Sequence, residues 1–147
     1  MNKPDLRGVP DLLRASVGST FEASISPFHT WLNPIILSVE PGSMKLEYPL
    51  RPEMWNPMKT LHGGLTAAIL DDSVGLTCFS LGKPNFHSTL NNSIDYLAAV
   101  PFGEKLIVHA DILKNGKSIV HGQAEFYLKS NGKLVARGVS NLLYLGD

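Results

Sequence analysis

NPMKTLHGGLTAAILDDSVGLTCFSL, residues 56–81, carries the one long helical pattern in a chain otherwise patterned for strands. Leu65, Ala68, Ile69, Leu76 and Phe79 recur at helical spacing, while Ala67, Leu70, Val74 and Cys78 make the other faces apolar as well. A helix apolar nearly all round is buried on most sides. The spacing therefore predicts a buried helix from Leu65 to about Leu81, ended by Gly82-Lys83-Pro84-Asn85.

Everything after this helix reads as strand. STLNNSIDYL (88–97) alternates Leu90, Asn92, Ile94 and Tyr96 with Thr89, Asn91, Ser93 and Asp95. EKLIVHADIL, SIVHGQAEFYL and KLVARGVSNLLYL follow, joined by KNGK and SNGK. Asn115-Gly116 and Asn131-Gly132 suit tight hairpin turns in which both central residues take positive φ. Before the helix, IILSVE and SMKLEYPL flank a Pro41-Gly42 turn, and PDLLRASVG gives a short N-terminal helix. Residues 20–34 show no pattern, and 51–60 read as a loop. The sum is an antiparallel sheet of five to six strands curled around one long helix. It forms a single domain over 1–147, with 1–33 as an N-terminal extension.

Thirteen basic and 13 acidic residues leave no net charge to attract nucleic acid or an anionic membrane. A lone cysteine, Cys78, excludes an intramolecular disulfide. The polar first ten residues do not resemble a secretory leader, and 23–39 is too interrupted to span a bilayer. The expectation is a soluble cytoplasmic domain that binds neither nucleic acid nor membrane.

Two features of the helix demand chemistry. The first N–H groups of a helix lack intrahelical partners and, with its dipole, favour a negative oxygen. Gly63 and Gly64 would let a ligand approach them, or would merely let the loop turn. Asp71 and Asp72 interrupt the apolar run, where an unpaired carboxylate is expensive. They lie about 100° apart on the helix, so one can be solvated or paired with a lysine while the other acts. Eight residues separate Gly63 from Asp71, about 12 Å of helix. If both serve one carbonyl, they come from two copies of the helix, which ties the chemistry to a homodimer.

These residues resemble the hotdog-fold acyl-CoA thioesterases of the phenylacetate-pathway type, over about 34–145. The carrying motif is Asn56, His62-Gly63-Gly64 and Asp71, followed by the strand STLNNSIDYL. The resemblance implies an α+β hotdog fold and a homodimer paired into a tetramer. It implies hydrolysis of acyl-CoA to free acid and coenzyme A. Gly63 N–H would stabilise the oxyanion, and Asp71 of the partner subunit would be nucleophile or general base. Asn56 would hold water or substrate, Thr89 would help to place that water, and His62 would position the loop. Asp72 beside Asp71, and Asn91 where relatives carry aspartate, depart from the pattern. Ser88 neighbours Thr89, and a one-residue slip would exchange their faces.

Coenzyme A has phosphates, for which Lys114, Gly116, Lys117 and Arg137 are the candidates, against the ordinary placing of lysines at hairpin tips. No metal or other cofactor is expected. His87, His109 and His121 lack ligand spacing, although the last two lie on neighbouring strands. Trp31 and Trp55 suit packing better than an acyl pocket. Relatives on the same fold that hydrate enoyl thioesters place an Asp and a His five residues apart, a pair that this chain lacks. The alternative from another class is a non-catalytic acyl-CoA sensor, which retention of Asn56 and Asp71 disfavours.

Overall fold

The computed structural model describes residues 3–146. Two short helices, α1 (Val9–Ala15) and α2 (Pro27–Leu32), precede the hairpin β1 (Ile35–Glu40) and β2 (Ser43–Tyr48). A 3-10 turn (Pro52–Met54) leads to the long helix α3 (Gly63–Phe79). Then come β3 (His87–Tyr96), β4 (Leu106–Asn115), β5 (Ile119–Leu128) and β6 (Leu134–Tyr144). All six strands form one antiparallel sheet in the order β1-β2-β4-β5-β6-β3. This is the hotdog arrangement: α3 packs against β2 through β6. Among the described residues no helix is long and apolar enough to cross a membrane.

The sheet curls onto α3 because alternate residues point inward. Leu106, Val108 and Ala110 of β4, and Val120, Ala124 and Phe126 of β5, are wholly buried. From the helix they meet Ile69, Leu70 and Val74, also wholly buried. The buried Ser73 and Thr77 satisfy their hydroxyls on Leu70 O (3.2 Å) and Ser73 O (2.7 Å) one turn earlier.

The helix rides close to the strands where they carry glycine. A Cβ at Gly138 would lie 2.6 Å from Leu70 Cδ2 and 2.8 Å from the Ser93 carbonyl oxygen, and the latter cannot rotate away. Gly138→Val is expected to lower stability by about 2–3 kcal/mol through overpacking, read as a shifted urea midpoint. An unchanged midpoint would contradict the close approach.

Several expectations need correction. The helix starts at Gly63, two residues before Leu65, with His62 as its N-cap. Residues 20–34 are not patternless, because they contain α2, opened by Ser26 accepting from His29 N–H (3.2 Å) with Pro27 in the first turn. Ser-Pro at a helix start was the available signal. The Asn-Gly turns are not the expected type: neither asparagine has positive φ, and of the two glycines only Gly132 does (71°). The loops are longer than two residues. Gly116 N–H bonds Ile119 O (3.0 Å), and Gly132 N–H reaches back to Leu128 O (2.8 Å). Finally, β3 does not alternate strictly. Its register with β6 shifts between Thr89 and Asn91, a bulge at Leu90.

Candidate active site

The bulge in β3 builds the first half of the site. By bringing Thr89 and Asn92 onto the helix-facing side although they are three apart, it lets both reach one carboxylate oxygen. Thr89 Oγ1 donates to Asp71 Oδ1 at 2.8 Å and Asn92 Nδ2 donates to it at 3.0 Å. Asp71 Oδ2 has no hydrogen-bond partner among the described residues. The carboxylate faces a cavity of about 250 Å³ lined also by Phe28, Gly75, Phe79 and His87. One oxygen is pinned and the other is free toward a cavity, which is how a base or nucleophile is held ready.

Asp72 does something else. It is neither solvated nor paired with a lysine. His29 Nδ1 lies 3.0 Å from both of its oxygens, and Tyr48 O–H donates to Oδ2 at 2.6 Å. His29 is buried and Tyr48 wholly so, so this cluster joins α2, β2 and α3 inside the protein. Burial first, and the Asp72 charge second, push the Tyr48 phenol well above its ordinary pKa, so it remains a donor. The buried carboxylate, Asp72, is thus fully engaged within the protein, and the half-exposed Asp71 is the one that borders the cavity.

The helix start is the second half. His62 Nδ1 accepts from Gly64 N–H at 3.0 Å, which spends Gly64 on capping rather than on ligand. A Cβ at Gly64 would sit 3.1 Å from that ring nitrogen. Gly63 N–H has no partner among the described residues, while its carbonyl accepts from Tyr96 O–H of β3 at 2.7 Å. A cavity of about 330 Å³, lined by Leu61, Gly63, Thr66, Tyr96, Ala98 and Val135, opens there. Asn56 holds the preceding loop: Oδ1 accepts from Met58 and Thr60 N–H (3.0 and 3.1 Å), and Nδ2 donates to Thr60 Oγ1 (2.8 Å). One amide N–H of Asn56 is left for a ligand.

Comparison with known proteins bears directly on this geometry. The family model described as "Thioesterase superfamily" matches residues 58–135, over half of the chain. Human acyl-coenzyme A thioesterase 13 is 33% identical over 105 residues, which cover 70% of this chain and 74% of that protein. The chain belongs to the thioesterase superfamily. As a thioesterase it is a thioester hydrolase. The crystal structure of zebrafish thioesterase superfamily member 2 is 28% identical, with a TM-score of 0.72 over 97% of this chain and 99% of that one. Phenylacetic acid degradation protein PaaI from Thermus thermophilus shares the fold, at 22% identity and TM-score 0.72 over 82% and 100% of the two chains.

The other candidates do not line the Asp71 cavity or the Gly63 cavity. Gly116 cannot present its N–H to a phosphate, because Ile119 O takes it, and its carbonyl accepts from Lys83 Nζ (3.1 Å). Lys114 and Lys117 flank that hairpin tip. Arg137 lies opposite Asp95, with Nε 3.5 Å from its carboxylate, and opposite Glu125 on the other side. Ser88 pairs with Leu143 and takes the strand face opposite to Thr89. Asn91 bonds Asn141, not Asp71. His121 bonds Asn141 Oδ1 (2.7 Å) and His109 stacks obliquely on Tyr127 (4.9 Å). Trp31 stacks on Phe28 beneath the Arg51 guanidinium, and Trp55 packs on Phe102.

Sequence reasoning missed Asn92 and His29. The first was masked by the bulge, and the second lay in a segment read as patternless. Asn92→Ala is expected to lower kcat by about tenfold with little change in KM, because it removes one of two bonds that orient Asp71. Thr89→Ala is expected to match it. Steady-state kinetics on one thioester check both, and a rise in KM alone would contradict the orienting role.

Proposed function

We propose that this thioesterase hydrolyses acyl-CoA thioesters to carboxylic acid and coenzyme A, with each active site shared between two subunits. The supporting observation is Asp71, whose Oδ1 is fixed by Thr89 and Asn92 while Oδ2 is open to a cavity. Oδ2 acts on the thioester carbonyl as nucleophile or as base for a water. Gly63 N–H receives the developing oxyanion at a helix N-terminus, a contribution typically of 10²–10³ in kcat. The thiolate leaves readily, so the chemistry needs no metal or organic cofactor. The human relative is named as an acyl-coenzyme A thioesterase, which favours this thioester class.

The free edge of β3 supports a dimeric reading. This ten-residue strand is the sheet edge, and Leu90 and Tyr96 are more than half exposed on it. A long strand whose backbone groups are unpaired along one side invites pairing with another strand. Twofold pairing centred near Asn92 and Ser93 sets Thr89 of one subunit opposite the partner's Tyr96. Thr89 holds Asp71 and Tyr96 holds Gly63, so that register joins the two half-sites that about 12 Å of helix separates within one chain. Pairing of dimers into a tetramer belongs to the same reading.

The test is thiol release from acyl-CoAs of two to sixteen carbons by wild type and Gly63→Pro. Proline is tolerated at the first helical position, and His62 already has the extended backbone (φ −62°, ψ 131°) that a following proline requires. The variant removes the N–H, places a ring carbon where it pointed and brings a Cβ to 3.4 Å from the Tyr96 ring, so kcat is expected to fall by at least about 10²–10³-fold with the helix intact by circular dichroism. Full activity in Gly63→Pro would contradict the oxyanion assignment. Acyl-CoA binding without any turnover would favour a ligand sensor.

A further inference from the structure

Within its own chain Gly75 has no packing reason to be glycine. It sits in the interior of α3, where glycine is destabilising relative to alanine. Its φ is not positive, and a Cβ built on it would meet no atom within 4 Å. It lies four residues beyond Asp71, so on the same helix face one turn along. There it lines the Asp71 cavity, and the space above it is open.

That cavity does not end at Gly75. Ser24, Ser26 and Phe79 are shared with a second cavity of about 430 Å³, lined largely by Leu6, Val9, Phe21, Ile25, Phe79 and Phe86. Its roof is the N-terminal segment, held down by Leu6 N–H on Pro84 O (3.1 Å), Ile36 N–H on Ser19 O (2.9 Å) and the buried Phe21. The acidic groups along the way are engaged. Asp72 is taken by His29 and Tyr48, and Asp5 by Arg7. His87 borders the first cavity with both ring nitrogens buried and, among the described residues, unpartnered. Burial chiefly, and Lys83 in addition, hold its pKa down to about 4, which leaves a neutral ring in the wall at pH 7.

We infer that the acyl chain of the substrate runs from Asp71 over Gly75, past Phe79, into the cavity under the N-terminal segment, and that the enzyme therefore favours unbranched medium-to-long acyl groups. This rests on the thioesterase reading above and adds the acyl class. At about 30 Å³ per methylene-sized group, the second cavity accepts on the order of a dozen carbons. Glycine at 75 is the throat of this path, kept at the expense of helix stability. The N-terminal segment is a substrate wall rather than an appendage.

The test compares wild type with Gly75→Leu, which narrows the throat, and Ala23→Trp, which fills the far cavity. The readout is the ratio of kcat/KM for dodecanoyl-CoA to that for butanoyl-CoA, with Kd for the non-hydrolysable thioethers S-dodecyl-CoA and S-butyl-CoA. Both variants are expected to lower the ratio by roughly tenfold or more, since each methylene withdrawn from apolar contact forfeits a severalfold factor. The wild-type preference for the dodecyl thioether is expected to fall in parallel. Gly75→Ala is expected to raise Tm by about 2–4 °C. A ratio that neither variant changes would overturn the path, as would a lower Tm in Gly75→Ala or a Gly75→Leu protein altered only in oligomeric state. If wild type hydrolyses no acyl-CoA, the proposed acyl-CoA substrate falls. The thioether affinities still decide the chain site: tighter dodecyl binding lost in Gly75→Leu supports it, and equal affinities refute it.

Discussion

Asp71→Ala is expected to lower kcat by at least about 10³-fold on every acyl-CoA the wild type accepts, with Tm within a few degrees of wild type. A carboxylate acting as general base contributes typically 10²–10⁴, and one acting as nucleophile contributes more. Stability changes little because Asp71 is only half-buried and its loss leaves two neutral donors, Thr89 and Asn92, rather than a charge without a partner. Asp71→Asn keeps the shape and removes the charge, and is expected to lose nearly as much activity. Thiol release alongside thermal melts checks this. Activity within tenfold of wild type in both variants would remove Asp71 from the chemistry.

Asp72→Ala is expected to do the reverse. The substitution leaves His29 and Tyr48, both buried, without their acceptor, and it opens a cavity where α2, β2 and α3 meet. Removing one partner from such a buried cluster typically destabilises by about 3 kcal/mol. For a chain of this length that corresponds to roughly 6–12 °C in Tm. Below its melting transition the variant is expected to retain kcat within about tenfold. A stable but inactive Asp72→Ala protein would exchange the roles of the two carboxylates. Tyr48→Phe is expected to be milder, since it removes the donor and leaves His29 on Asp72.

The division of labour between these neighbours shows where sequence reading reached its limit. The buried helix was legible because Ile69, Leu70, Val74 and Cys78 cover several faces at once, and the strands because β4, β5 and β6 alternate. That the two adjacent carboxylates would have different surroundings was legible too, from the roughly 100° between them on the helix. The partner of Asp72 was not, because His29 lies 43 residues away in a six-residue helix whose start is marked only by Ser26-Pro27. Asn92 escaped for a different reason. Alternation places residues two apart on one face, and a bulge that resets it at Leu90 leaves no mark in composition. The Asn-Gly turns failed because the loop closures through Gly116 N–H and Gly132 N–H, not the dipeptides, set the turn geometry.

Complementation between subunits distinguishes an active site shared by two chains from one built within a single chain. Asp71→Ala and Gly63→Pro are each expected to be nearly inactive. Unfolded and refolded together at equal concentration, half of the dimers carry one subunit of each kind. In those dimers one site has both defects, and the other has an intact Asp71 facing an intact partner Gly63. The mixture is expected to recover about a quarter of wild-type activity, following random pairing of twofold partners. No recovery in a mixture shown by native mass spectrometry to contain the mixed dimer would contradict the account, because it would place Gly63 and Asp71 in the service of the same chain.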